Sequence, residues 1–293
     1  MSNTNLSDAT QYKYLQMANS FFSKQELSFD VPPHTLFETL KSISPEYRPA
    51  YWRNLRNAIS YFYFSQSQHE LAKKIRTLSN PVTHLGIAEI KPKQKRCKKV
   101  TEHEMELLIT EAIKQKNRKL VAAIFIANLT GCRPSEMPTI SQTGPGTFEI
   151  IGGKKRTDRG LDRLILIQDK STAELFSKMV RILSNHKMKP IQNSFDRLAR
   201  KVFRKREVVP SLYSFRHQMG SVLKASNISR KSIAYMMGHR VTKSVNVYGD
   251  RRTSGRRNIE ISPGVSDSEI ELLVRDNHQF SFDREETSAA KFS

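Results

Sequence analysis

Cysteine, acidic residues and long apolar runs are all scarce in this 293-residue chain. Its two cysteines, Cys97 and Cys132, form no Cys-x-x-Cys or His-rich pattern, which argues against a disulfide framework and a zinc site and favours a reducing compartment. No apolar run approaches the roughly 20 residues that cross a bilayer. The polar segment MSNTNLSDATQ lacks the pattern of a signal peptide. We therefore expect a cytoplasmic protein with no membrane partner.

The shortage of acidic residues leaves a large positive charge. The chain has 49 Lys and Arg against 28 Asp and Glu, a formal net charge of +21. An excess of this size attracts polyanions by electrostatic steering and by counterion release, so nucleic acid is the expected partner. Charge alone leaves open a ribosome-associated or simply basic protein.

Apolar periodicity predicts two domains joined by a basic linker. Residues 1–90 are expected to form an all-helical domain, with helices at 8–22, 34–43, 49–64 and 69–78. Residues 91–100 are the linker, because a proline and the run KPKQKRCKK interrupt the periodicity and concentrate charge. Residues 101–255 form the second domain. Residues 256–293 form a C-terminal tail with a capped amphipathic helix at 267–274.

The second domain is predicted to be mostly helical. Thr101 and Glu104 form a capping box at its first helix. Short strands are expected at 147–151 and 163–167, around a glycine-containing hairpin loop. Further helices are expected at 172–183, 194–204, 212–225 and 229–237. The fold class is therefore mostly α with a small antiparallel β-sheet, an α+β domain preceded by an all-α domain.

Four residues of the second domain suit attack on a phosphodiester. Arg133 and Arg216 can bind phosphate through a bidentate guanidinium, and Arg133 also precedes a helix N-terminus that suits an anion. His239 can move a proton near neutral pH, and Tyr248 can act as a covalent nucleophile. Each of these residue types alone is more often a packed or surface residue. Only their order and spacing indicate a site.

That order and spacing resemble the tyrosine recombinases, the phage-integrase family. LTGCRPSEM is similar to the family's first box, Thr-Gly-x-Arg-x-x-Glu, and the Arg, Gly-His and Tyr that follow are similar to its C-terminal boxes. The resemblance implies that Tyr248 is the nucleophile, that Arg133, Arg216 and His239 stabilise a pentavalent phosphate, and that Glu136 is structural. The resemblance is close in the second domain and general in the first.

One position departs from the family pattern. Tyr213 stands three residues before Arg216, where the family usually has His. A phenol, with a reference pKa of about 10, can donate a hydrogen bond to phosphate but is a poor base at neutral pH. Tyr213 is therefore a candidate catalytic residue whose role differs from that of the usual His.

The resemblance also implies a lysine on the hairpin that protonates the leaving 5′ oxygen. Lys154 best matches the family's Gly-Lys, and Lys155 remains the alternative acid. Other cations are expected to contact the DNA backbone rather than the reacting phosphate. The expected DNA-contacting residues are Arg53, Arg56, Lys93, Lys95, Arg96, Lys98, Lys99, Lys155, Arg156, Arg197, Arg200 and Lys201. A solvated charged surface is the alternative for each of them.

By this resemblance the protein is a site-specific recombinase that integrates, excises or resolves DNA, as mobile elements require, through a 3′-phosphotyrosine intermediate. No cofactor, metal or ATP is expected. The implied partner is double-stranded DNA with paired inverted sites, bound by a homotetramer in the synaptic complex and by a protein that is monomeric when free. An accessory DNA-bending or directionality factor is a further possible partner. The expected place of action is the nucleoid of a bacterial cell.

Two alternative functions stay open at the level of sequence. A type IB topoisomerase uses similar chemistry without synapsis. A DNA-binding regulator with a decayed site is compatible with Tyr213 in place of His. The family resemblance further implies that the helix at 267–274 docks on a neighbouring protomer, and packing on its own domain is the alternative.

Overall fold

The computed structural model describes residues 6–153, 160–255 and 260–276. Contacts divide the chain into two compact units, Met1–Gln94 and Lys95–Ser293. The division falls within the basic segment predicted to be a linker. Among the described residues, no helix is both long and apolar enough to cross a membrane.

The described elements of the first unit are all helical. They are α1 (Asp8–Lys24), α2 (Pro33–Ser42), the 3₁₀ helix Ser44–Glu46, α3 (Pro49–Ser65), α4 (His69–Thr77) and α5 (Pro81–His84). The core of this unit is rich in aromatic rings, with the Phe22 and Phe62 centroids 5.3 Å apart. The four predicted helices are confirmed to within two residues at each end. Helix α5 was not predicted, because its single turn lies in the proline-interrupted stretch.

The second unit combines helices with one sheet. Its helices are α6 (Glu102–Lys114), α7 (Arg118–Thr130), α8 (Lys170–Leu183), α9 (Met188–Val202), α10 (Leu212–Ala225), α11 (Arg230–Met236) and α12 (Asp267–Leu273). Its 3₁₀ helices are Pro134–Thr139, Thr242–Val247 and Arg251–Thr253. Its strands are β1 (Ile140–Gly144), β2 (Thr147–Ile150), β3 (Arg163–Ile167) and β4 (Ile261–Pro263), antiparallel in the order β1-β2-β3-β4. The predicted fold class is confirmed.

The apolar helix α7 is central to the second unit. Its residues Leu120, Ile124 and Ala127 are fully or almost fully buried in the core. The sheet packs on α8 through Phe148 and Phe176, whose ring centroids are 4.7 Å apart. Because α7 is buried, its C-terminal end is placed inside the domain, where the candidate site is built.

Three boundaries in this unit differ from the prediction. Strands β1 and β4 were not predicted, because β1 is mostly polar and exposed and β4 has only three residues. Helix α9 begins at Met188, six residues before the predicted start, and includes Pro190 in its first turn. Proline is tolerated there because the first N–H groups of a helix have no intrahelical acceptor.

Helix α12 packs on its own chain in the structure of the single protomer, and its docking on a neighbouring protomer stays a prediction. Its Ile270 is 1% exposed and the following Val274 is fully buried, both in the core of the second unit. The chain after α12 also contacts the start of the 3₁₀ helix Thr242–Val247, since Thr242 N–H donates to the Arg275 carbonyl at 3.1 Å. In the single protomer the second unit offers the apolar surface that covers the buried face of this helix.

Two substitutions in α12 test this packing. Ile270→Ala is expected to lower the free energy of unfolding of the second unit by about 2–5 kcal/mol, because it leaves a cavity in a buried core. Leu272 is 85% exposed, so Leu272→Ala is a matched control expected to change the unfolding free energy by less than about 0.5 kcal/mol. Urea unfolding of the dilute protein measures both. Equal effects of the two substitutions would contradict packing in cis.

Candidate active site

Arg216 lies in the middle of α10 and is fully buried. Its Nη1 donates to the Gly131 carbonyl at the end of α7 at 3.0 Å, and its Nη2 donates to the Met237 carbonyl at the end of α11. The last carbonyls of a helix lack intrahelical partners and carry partial negative charge, so they suit a guanidinium. Arg216 therefore brings the ends of two helices together at one point.

Glu136 is a buried carboxylate that orients two further arginines. Its Oε1 accepts from Arg133 Nη1 at 2.5 Å, and its Oε2 accepts from Arg163 Nη2 at 3.1 Å. Burial would raise the pKa of Glu136, but the charges of Arg163 and Arg133 outweigh burial and lower this pKa to about 2. The carboxylate is therefore ionised at neutral pH and fixes Arg133, as the resemblance implied.

His239 follows α11 directly and is 8% exposed. Gly238 makes the turn between them with φ +65°, and a Cβ there would lie 2.6 Å from Arg163 Nη1, so both the backbone conformation and the close approach require glycine. Burial, reinforced by the charge of Arg216, lowers the pKa of His239 to about 3. The imidazole is therefore neutral.

The tautomer of His239 follows from its partner. Arg216 Nη2 lies 3.1 Å from His239 Nε2, and a guanidinium can only donate. Nε2 must therefore accept, which assigns the ring proton to Nδ1. A neutral His239 in this tautomer can donate a hydrogen bond from Nδ1.

Tyr248 lies directly after the 3₁₀ helix Thr242–Val247 and beside the two arginines. Its ring centroid is 4.6 Å from Arg216 Cζ and 5.2 Å from the centroid of the His239 ring. Burial raises the pKa of the Tyr248 phenol, but the charges of Arg216 and Arg133 outweigh burial, and the net pKa lies below its ordinary value. The arrangement therefore favours the phenolate, the form that attacks phosphorus.

Positive charge is in excess in this buried cluster. Arg133, Arg163 and Arg216 are at most 7% exposed, and Glu136 is the buried carboxylate that the described residues place among them. Nε and Nη1 of Arg163 and Nε of Arg216 have no hydrogen-bond partner within the described part of the chain. Buried charge without compensation is costly. The cluster is thus electrostatically prepared for an anion.

The structure also places Tyr213 near this cluster. It lies in the first turn of α10 and is partly exposed. Burial lowers the pKa of Arg133, but Glu136, followed by Tyr248 and Tyr213, raises it above its ordinary value, so Tyr213 lies within electrostatic range of Arg133. Arg133, Arg216, His239 and Tyr248 thus lie close together with Tyr213 near Arg133, and their catalytic roles stay predictions.

The two candidate acids, Lys154 and Lys155, lie outside the described residues, as does Arg156. The residues on either side are fixed beside the site. Gly153 N–H donates to Glu136 Oε1 at 3.3 Å, and the Gly160 carbonyl accepts from Arg240 Nε at 3.0 Å. The described residue that precedes the two lysines therefore lies beside Glu136, which pairs with Arg133 and Arg163.

The predicted DNA-contacting cations differ in their surroundings. Lys93, Lys95, Arg96, Lys98, Lys99, Arg53, Arg197, Arg200 and Lys201 are exposed. Lys201 pairs with Glu111 at 2.7 Å. Arg56 instead donates to the Leu78 carbonyl at 2.5 Å and packs against Trp52, so it connects α3 to the end of α4.

Sequence reasoning missed one residue of the site, Arg163, and kept His217 only as a substitute for Tyr213. Arg163 was treated as the polar start of a strand, although a cation at the head of the apolar run RLILI signals a paired charge if the strand is buried. His217 lies 5.2 Å from Tyr248 between ring centroids, and its buried Nδ1 has no partner within the described residues. Burial, and then Lys98, lowers the pKa of His217. A histidine directly after Arg216 was the available signal.

Comparisons with known proteins identify the fold. No protein-family model and no curated protein sequence matches the chain. A lambda integrase dimer bound to a COC′ core site is similar in structure, with a TM-score of 0.60 and 17% identity, covering 87% of this chain and 75% of that one. A lambda integrase tetramer bound to a Holliday junction gives 0.59 and 15% over the same shares. The Tn1549 transposon integrase in complex with a circular intermediate DNA gives 0.53 and 13%, over 84% and 91%.

The chain thus has the fold of the tyrosine recombinases, the family that its motifs resemble. Its arginines, its histidine and Tyr248 meet at one point within that fold.

Proposed function

We propose that the protein is a site-specific DNA recombinase that cuts and rejoins DNA through Tyr248. The observation that carries the proposal is the position of Tyr248 against Arg216, 4.6 Å from guanidinium carbon to ring centroid, inside a cluster with excess buried positive charge. A phosphodiester is the anion that this combination of nucleophile and guanidinium donors suits.

The reaction has two steps, cleavage and rejoining. The Tyr248 oxygen forms a bond to phosphorus while the bond from phosphorus to the 5′ oxygen breaks, which gives a 3′-phosphotyrosine and a free 5′ hydroxyl. The phenolic proton goes to water, to a phosphate oxygen or to a neutral histidine, and the 5′ oxygen gains a proton from Lys154 or Lys155. A 5′ hydroxyl from a partner duplex reverses the step and exchanges strands, so no ATP is consumed.

Two of the three arginines contact the phosphate in this reaction, and the third acts indirectly. Arg133 and Arg216 bind non-bridging oxygens, where negative charge increases in the pentavalent transition state. Neutral His239 donates from Nδ1 to the same group. Glu136 and Arg163 act through Arg133, because their ion pairs fix its guanidinium before DNA arrives.

The basic segment is positioned to add sequence-independent affinity. Its backbone is fastened to α10, since the Cys97 carbonyl accepts from Ser214 Oγ at 2.7 Å. The side chains on either side of Cys97 remain exposed beside the helix that carries Arg216. Cations held in this way along the DNA path neutralise phosphates and release counterions.

The salt dependence of DNA affinity tests whether the basic segment contacts phosphates. Replacing Lys93, Lys95, Arg96, Lys98 and Lys99 together by Gln is expected to flatten the plot of log affinity against log salt by up to about 4.5 units, since each phosphate contact contributes about 0.9. The ranking of DNA sequences is expected to stay the same. Neutralising the exposed Lys170, Lys178 and Arg181 of α8 is the matched control. An unchanged slope in the first variant would mean that the segment does not contact DNA.

A covalent-adduct assay tests the proposed function. The protein is incubated with fragmented DNA of the source genome, denatured, and the DNA that remains attached is sequenced. We expect adducts at a small set of sites with paired inverted arms, the arrangement that a synaptic tetramer would bind. DNA binding without any adduct would favour a regulator. Adducts spread without sequence preference, with relaxation of supercoils by the protein alone, would favour a type IB topoisomerase.

A further inference from the structure

Helix α10 carries a row of three polar side chains, Gln218, Ser221 and Lys224, that the proposed chemistry does not use. Their spacing of three places them on one side of the helix. Arg216, on the same helix, is proposed to bind the phosphate. Gln218, Ser221 and Lys224 instead contact the backbone that follows Tyr248.

These side chains form hydrogen bonds with backbone groups along the stretch from Tyr248 to Ser254. Lys224 Nζ donates to the carbonyls of Tyr248, at 2.5 Å, and Gly249, at 3.0 Å. Ser221 Oγ accepts from the Asp250 N–H at 3.0 Å. Gln218 Nε2 donates to the carbonyls of Thr253, at 3.1 Å, and Ser254, at 2.8 Å.

Hydrophobic burial does not hold this segment. Residues 249–255 read GDRRTSG and contain no apolar side chain, and none of them is buried. Val247 just before Tyr248 is 69% exposed. The hydrogen bonds from α10 are therefore the main attachment of the chain immediately after the nucleophile.

The helix also makes room for the nucleophile itself. A Cβ on Gly220 would lie 2.9 Å from Tyr248 Cβ, closer than real side chains approach. The absence of a side chain at Gly220 lets the Tyr248 backbone lie against α10, and Lys224 then binds its carbonyl from one turn further along.

Gln218 joins this segment to the basic segment. It is 4% exposed, and while its Nε2 binds Thr253 and Ser254, its Oε1 accepts from the Val100 N–H at 3.4 Å. One buried amide thus connects the end of the basic segment with the chain after Tyr248. Both segments depend on the same face of α10.

We propose that Gln218, Ser221 and Lys224 form a latch that holds Tyr248 in the site of its own chain before DNA binds, with Lys224 as its principal positioning residue. The inference rests on the proposed function, because the purpose of the latch is to have Tyr248 already in position for attack when DNA binds. The latch itself is a property of the free protein and can be measured without DNA.

Hydrogen exchange in the DNA-free protein tests the latch. Lys224→Met keeps the length of the side chain and removes the donor, and we expect exchange in peptides covering residues 248–254 to accelerate about tenfold or more, as for loss of a hydrogen bond to a charged group. Lys224→Arg should restore slow exchange. Lys178→Met, at an exposed lysine of α8, is the matched control. Unchanged exchange in Lys224→Met would overturn the proposal.

Single-turnover cleavage of a nicked site separates the latch from the proposed function. Lys224→Met should slow formation of the adduct at saturating DNA while leaving DNA affinity unchanged, and Lys224→Arg should recover the rate. Ser221→Ala, a smaller change, should give a weaker effect in the same direction and keeps the test valid if Lys224→Met lowers the melting temperature. Accelerated exchange in a protein whose native form makes no adduct would support the latch and contradict the proposed function. A normal cleavage rate in Lys224→Met would contradict the positioning role.

Discussion

Tyr248→Phe is expected to abolish the covalent protein–DNA adduct while leaving DNA affinity unchanged. A phenyl ring keeps the packing of the ring against Arg216, but it has no oxygen to bond phosphorus. The loss should therefore be complete and confined to chemistry. Incubation with a nicked site, followed by denaturing electrophoresis, measures the adduct, and a binding titration with the same DNA is the control.

An adduct that persists in Tyr248→Phe would assign the nucleophile elsewhere. Tyr235 is a poor substitute, because it is 1% exposed and its hydroxyl accepts the Leu164 N–H at 2.9 Å. Tyr213 would then be the residue to replace next.

Tyr213→Phe is expected to slow cleavage by about 10²–10³, the usual effect of losing one hydrogen-bond donor to a developing oxyanion. Tyr213 lies in the first turn of α10 beside Arg133, where its hydroxyl can donate to a non-bridging oxygen. DNA affinity should be retained, because the cations that are proposed to contact the DNA backbone are unchanged. Single-turnover cleavage at saturating DNA separates the two quantities.

Restoring the family's residue is the matched test. Tyr213→His should keep activity, since the imidazole also offers a donor at this position. If Tyr213→Phe cleaves at the native rate, Tyr213 only fills space. His217, with its ring beside Tyr248 and a lowered pKa, would then be the better candidate for a contact with the phosphate or for the proton of Tyr248.

Local sequence signals predicted much of this fold. The capping box of Thr101 and Glu104 and the bounds of α10 both appear as expected. Each depends on a few neighbouring residues whose backbone preferences agree with the final structure. The catalytic candidates were inferred from the order of their motifs rather than from propensity, and their roles stay predictions.

The remaining features depend on contacts between distant parts of the chain. Arg163 is buried because Glu136, on a separate element, pairs with it. Strand β4 exists because β3 offers it an edge, with Ile167 opposite Ile261. The latch joins α10 to backbone N–H and C=O groups. Nearly every residue carries these groups, so residue identity does not indicate which of them α10 binds. Local periodicity carries no information about such pairings.

If the protein is a recombinase of the proposed kind, Tyr248 forms a bond to the 3′ phosphate of cleaved DNA. Trypsin digestion of the trapped adduct tests it directly, because cleavage after Lys243 and Arg251 releases the peptide SVNVYGDR with Tyr248 as its sole tyrosine. Mass spectrometry should find the nucleotide on Tyr248 of this peptide, and end labelling should show a free 5′ hydroxyl on the other DNA fragment. A nucleotide on another peptide, or a linkage to the 5′ end of the break, would contradict the account.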